Sequence, residues 1–124
     1  MDAEEIMIGN YVWHIGLAKY IQVTSIHPDI TDHIEGIKLN DKWLIEFGFN
    51  RVEHDGNELE FYGNGLYIYK DVRGRYYVYS RIAGHSIYVY LDFVHELQNF
   101  FFWMSSKEKL KLKMRWNILK YRKT

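Results

Sequence analysis

Four side chains in one short stretch, His95, Glu96, Gln98 and Asn99, come nearest to chemistry in type and spacing. A helix would set His95 and Asn99 on one face, four positions apart, with Glu96 at its margin. A His-Glu pair on a helix invites comparison with the HExxH metalloproteases, but position 99, where the second histidine should stand, is Asn. No nucleophile or second carboxylate pair lies nearby. The polar groups are therefore read as bonding to neighbouring loops and strands, and a hydrolase or metal site around His95 ranks third among the functional readings. His27 and His33 with Asp29 and Asp32 have no ligand-motif spacing, and the local HPDITDH reads as a solvated loop. The glycines sit at turns and form no phosphate loop, and no serine lies in a nucleophile-elbow pattern. No catalytic residue, metal ligand, cofactor or small-molecule substrate is assigned, and the chain is expected to be non-enzymatic.

The element that carries these residues is a helix over Asp92–Met104, reading DFVHELQNFFFWM. Phe93, Leu97, Phe100 and Met104 fall on one line at helical spacing, with Val94 and Phe101 beside them. Phe102 and Trp103 lie on the opposite, polar side, and aromatics on both sides predict a helix covered twice. The strands before it form a four-stranded meander over about 58–62, 66–71, 75–82 and 86–91, broken by Gly63-Asn64-Gly65, Arg73-Gly74 and Ala83-Gly84. Alternation gives this sheet two faces. Leu66, Ile68, Tyr76, Val78, Ile82, Ile87, Val89 and Leu91 make an aliphatic face, the expected seat of the helix. Tyr67, Tyr69, Arg75, Tyr77, Tyr79, Arg81, Tyr88 and Tyr90 make the other.

Upstream, residues 6–14 and 19–26 read as a hairpin, interrupted at Gly9-Asn10 by a bulge or bend. Residues 40–48, NDKWLIEFG, read as a short helix with Asn40 as N-cap, Asp41 at the positive end of the dipole and Gly48 at C′. Trp43, Leu44 and Phe47 are its buried face, and Phe49 packs back on Leu44. After Ser105 the ten residues 109–118 alternate strictly, favouring a strand, although their composition suits a helix. The expected fold is α+β and predominantly antiparallel, an N-terminal hairpin plus the meander with one short and one long helix. A barrel-like closure would bury the tyrosine face against the hairpin. Residues 1–106 form a single domain in this reading, and 107–124 are a basic extension of the same fold.

The net charge of zero hides an asymmetry. Residues 107–124 hold eight of the sixteen Lys and Arg and a single acid, net +7, which leaves −7 on the first 106. Absence of cysteine excludes disulfides, thiol catalysis and cysteine-based zinc sites. The acidic MDAEE start and the lack of about 20 consecutive apolar residues predict neither a signal peptide nor a membrane span, hence a cytoplasmic protein.

GIKLNDKWLIEFGFNR (Gly36–Arg51) and FVHELQNFF (Phe93–Phe101) resemble blocks of a family of small uncharacterised proteins from Bacteroidetes bacteria and their phages. Ile8-Gly9-Asn10 resembles the short Gly-Asn strand with which members begin, and the likeness spans roughly residues 6–110. The resemblance implies a phage or mobile-element setting. It brings no activity, cofactor or catalytic residue, and the basic tail is longer than the family pattern.

Binding is thus the expected function, with a protein partner (host defence or regulation would suit the setting) or self-association first. Phe102, Trp103 and the tyrosines Tyr67, Tyr69, Tyr77, Tyr79, Tyr88 and Tyr90 are the interface candidates. The alternative is a nucleic-acid-associated protein using Lys107, Lys109, Lys111, Lys113, Arg115, Arg75 and Arg81 with the same tyrosines.

Overall fold

The computed structural model describes residues 6–26, 32–52, 59–82 and 84–104. The fold is α+β and antiparallel, with two open sheets of three and five strands and two helices among the described residues. Neither sheet closes into a barrel. The chain divides into two compact units, Met1–Lys38 with Phe93–Thr124, and Leu39–Asp92. Each is described separately.

In the first unit, β1 (Tyr11–His14) is the central strand, flanked by β2 (Lys19–Gln22) and β3 (Ile34–Glu35). Ile6, Val12, Val23 and Ile34 form its aliphatic core, with Ile21 against it. The interruption at Gly9-Asn10 is a β-bulge. Gly9 N donates to Val23 O at 2.7 Å and Val23 N to Asn10 O at 2.8 Å, so two residues oppose one. Gly9 takes φ 98, which suits a residue without Cβ.

The long helix, α2 (Val94–Met104), belongs to this unit. Its buried line differs from Phe93, Leu97, Phe100 and Met104. Val94, Leu97 and Phe101 are buried, together with His95 and Gln98, while Phe93 and Met104 are exposed. Two local facts turn the helix. Phe93 stands before the first helical residue, bridged to Lys38, and its N–H donates to Glu96 Oε1 at 2.9 Å, the half of a capping box that Phe permits. Gln98 then faces inward because it serves the bulge. Its Oε1 accepts from Tyr11 N at 2.8 Å and its Nε2 donates to Gly9 O at 3.0 Å. A primary amide presents the donor and acceptor that a neighbouring strand would present. Asn99 Oδ1 accepts from Asn10 Nδ2 at 2.8 Å, and Asn10 Oδ1 in turn accepts from Met7 N at 2.7 Å.

The second unit is a five-stranded meander in chain order: β4 (Asn50–Val52), β5 (Leu59–Gly63), β6 (Leu66–Lys70), β7 (Tyr76–Ile82) and β8 (His85–Leu91). β4 adds a strand to the four expected. Between Leu39 and β4 lies α1 (Asp41–Glu46). Asn40 Oδ1 accepts from Trp43 N at 3.0 Å, as its N-cap position predicts. At the other end Gly48 takes φ 94, Gly48 N donates to Ile45 O and Phe49 N to Leu44 O, both at 3.0 Å. This pair of bonds is the Schellman ending expected of Gly48-Phe49. Trp43, Leu44, Phe47 and Phe49 are buried, each worth about 1.5–3 kcal/mol of transfer free energy for a side chain of this size.

The α1 ending fixes a second glycine. A Cβ on Gly63 would lie 2.5 Å from Gly48 O and 2.8 Å from Phe49 Cα, so backbone meets backbone there. Asn64 Nδ2 donates to Phe47 O at 2.9 Å and closes the contact. On the aliphatic face Ile68, Tyr76, Val78 and Leu91 are buried, whereas Ile87 is exposed. Among the described residues no helix is long and apolar enough to cross a membrane.

Candidate interaction surface

The tyrosine face is assembled by register. Tyr62 pairs with Tyr67, Tyr69 with Tyr77, Tyr77 with Tyr90 and Tyr79 with Tyr88, so paired rings stand on one side of four strands. Ring centroids are 4.5 Å apart for Tyr62–Tyr67, 5.4 Å for Tyr69–Tyr77, 5.7 Å for Tyr77–Tyr90 and 5.2 Å for Tyr79–Tyr88. Tyr77 also lies 5.9 Å from Tyr88, which makes it the hub of the cluster and explains its burial among neighbours that stay open. Tyr88 is 58% exposed and Tyr67 48%, with Tyr62, Tyr79 and Tyr90 also exposed. The expectation that these rings are buried inside a barrel is therefore corrected. The rings cover the backbone of an open sheet and leave their own outer surfaces to solvent.

Tyr62 completes the face and was not among the expected interface residues. Its signal is local, since Phe61 is fully buried and alternation sends the next residue outward. Glu60, opposite Tyr69, is a buried acid that this aromatic face conceals.

Arg75 closes one end. Its guanidinium sits 4.2 Å from the Tyr90 ring centroid and donates through Nε and Nη2 to the two Asp92 carboxylate oxygens at 3.2 and 3.1 Å. The pairing with Asp92 raises the Arg75 pKa further, and it leaves the charge matched. Asp71 shapes the turn that delivers Arg75, accepting from Arg73 N at 3.0 Å and Arg75 N at 2.9 Å. Arg81 pairs with Ser86 along the ladder, and its side chain is outside the described residues. Lys107, Lys109, Lys111, Lys113 and Arg115 lie outside them as well.

The sheet's opposite side holds a separate polar cluster. Tyr76 donates a short hydrogen bond to Asp41 Oδ1, and Lys70 Nζ lies 3.3 Å from the same oxygen and 5.4 Å from the Tyr76 ring centroid. Burial, then the bond to Asp41, pushes the Tyr76 phenol well above the usual tyrosine range. The cluster pins the first turn of α1 to β6 and β7.

The other candidates separate. His95 is buried and stacked 5.7 Å from Phe93; Gln98 and Asn99, as the reading of bonded polar groups predicts for them, are spent on β1 and its bulge. His14 and His33 stack at 6.1 Å, and no group of three His, Cys, Asp or Glu able to hold a metal occurs among the described residues. Phe102 and Trp103 meet edge to face at 5.6 Å, and Trp103 is 67% exposed, so the second cover expected on this side is not found among the described residues. No family model, curated protein or solved structure matches the chain.

Proposed function

We propose that this is a small non-enzymatic binding protein that engages a protein partner through the tyrosine face of its five-stranded sheet. The observation that carries the reading is the exposure of five tyrosines on one face whose rings already pack on one another. Such rings offer large contact area with two rotatable angles each, and much of their ordering cost is met before a partner arrives. Arg75, the described cation of the face, is neutralised by Asp92, which suits a protein surface better than a phosphate backbone. A cytoplasmic role in a phage or mobile element, directed at host defence or regulation, rests on the family resemblance and the cysteine-free composition.

The second reading is nucleic-acid association. Exposed aromatic planes on a sheet support it, each stacked base being worth about 1–3 kcal/mol in known systems, as does the +7 charge of residues 107–124. The two readings separate in paired measurements. A host protein captured by the wild type and lost from a folded Tyr67→Ser/Tyr88→Ser variant supports the first, and equal capture by both overturns it. Fluorescence titration with single-stranded and duplex DNA over a salt series tests the second, which fails if nothing binds at about 50 mM salt.

A further inference from the structure

The four sheet edges of the described residues are not alike. β2 has four residues and carries Lys19, β3 has two and carries Glu35, and β4 has three and carries Arg51. Short length and a charge are the ordinary means by which an edge is kept from pairing with another chain. The fourth edge, β8, lacks both. It has seven residues, HSIYVYL, with no Lys, Arg, Asp, Glu or Pro. Both of its faces are open at mid-strand, with Ile87 39% exposed on one and Tyr88 58% on the other. β7 takes one side of this strand, so every second residue directs its N–H and C=O outward. At the far end Leu39 N already donates to Asp92 O at 2.9 Å, which leaves Gly84–Tyr90 as the stretch with no further strand beside it among the described residues.

From this edge we infer that β8 pairs antiparallel with the β8 of a second copy, about a twofold axis normal to the sheet near Ile87. A second copy is the occupant because the strand is compatible with its own reversal. No formal charge lies between Gly84 and Tyr90, so self-pairing opposes no like charges. Reversal about Ile87 sets Ile87 against Ile87 and His85 against Val89 on the aliphatic side, and Ser86 against Tyr88 on the tyrosine side. The exposed Ile87 is thereby covered by its equivalent. The two tyrosine faces become one continuous surface across the dimer, and a symmetric interface of this kind is self-limiting. A single strand pair is smaller than a standard interface, which places the dissociation constant around the micromolar range. The inference rests on the edge and stands apart from the protein-partner reading.

Sedimentation velocity of the full chain over about 1–200 µM tests it. The wild type is expected to pass from monomer to dimer in that interval. Ile87→Lys sets like charges directly across the pair, while Ser86→Lys sets a lysine against Tyr88 with its equivalent as a diagonal neighbour, and each should weaken dimerisation at least tenfold. Tyr67→Lys, on the same face but inside the sheet, should leave it unchanged. Circular dichroism establishes that each variant is folded, and Ser86→Lys, at an exposed polar position, keeps the test open if Ile87→Lys unfolds. A wild type that stays monomeric throughout, or a folded Ser86→Lys that dimerises as well as the wild type, overturns the inference. So does dissociation by Tyr67→Lys alone, which would move the contact from the edge to the tyrosine face.

Discussion

The two units solve the same problem, the covering of a small antiparallel sheet, with different materials. The three-stranded sheet is completed by polar side chains turned inward. Gln98 takes the place of a missing strand beside Gly9 and Tyr11, and Asn10 and Asn99 tie the bulge to the helix. The five-stranded sheet buries aliphatic side chains on one face and covers the other with its own aromatic rings. Hydrogen bonds in the first demand exact partners, and each loss strands a buried group. Rings in the second share contacts around Tyr77, so the loss of an outer one is spread over its neighbours. A polar seam is specific and brittle, and an aromatic sheet is tolerant and open to partners.

The contrast can be broken from either side. The largest effect is expected from Gly63→Ala, where the new Cβ meets the backbone of Gly48 and Phe49. It should cost about 3 kcal/mol, the upper part of the usual range for overpacking, read as a lowered midpoint in urea unfolding. Next comes Gln98→Leu, which leaves the Tyr11 N–H buried without its acceptor. A loss of about 2 kcal/mol is expected for such an orphaned group, together with faster exchange of the Tyr11 amide; unchanged exchange would show that the amide is not the seam.

Tyr76→Phe removes a bond to a carboxylate and should cost about 1–2 kcal/mol. It also carries a pH signature. The folded-state pKa of Tyr76 is raised, so its contribution is complete below the unfolded tyrosine value of about 10 and is lost as pH climbs from there toward the folded value. Alkaline melts should therefore fall less steeply above about pH 10 in Tyr76→Phe than in the wild type. Tyr11, raised by burial, acts in the same direction and leaves a residual slope. The smallest effect belongs to Tyr67→Thr, expected within about 0.5 kcal/mol of wild type because the ring is exposed. A cost above about 1.5 kcal/mol, beyond an ordinary aromatic pair, would make the face a core.

How far these features were legible depends on how local their causes are. α1 could be read from its own ten residues, because Asn40, Gly48 and Phe49 act within one turn of where they stand. The two faces of the meander followed from alternation, and register merely added Tyr62. The seat of α2 was hidden because its apolar stripe is broad enough to admit two rotations. The choice between them lies in bonds from Gln98 and Asn99 to residues 87 and 89 positions earlier. Gly63 sits in a turn where glycine needs no explanation, so its close approach to α1 was invisible. The openness of the tyrosine face was undecided for a related reason, since alternation says which residues share a side and nothing of what covers it.

The bond from Asn10 to Asn99 spans 89 residues, and the closure entropy of a chain that long is about 4 kcal/mol by the logarithmic law. The bond between Leu39 and Asp92 changes that sum. Once the meander has formed, its entry and exit are adjacent, and the loop still to be closed shortens to roughly 35 residues, saving a little under 1 kcal/mol. The meander's hairpins, all local, should form first and deliver α2 to the N-terminal strands. Pulse-labelled hydrogen exchange during refolding should accordingly protect β5–β8 before the Tyr11 amide, and protection of Tyr11 first would reverse the order.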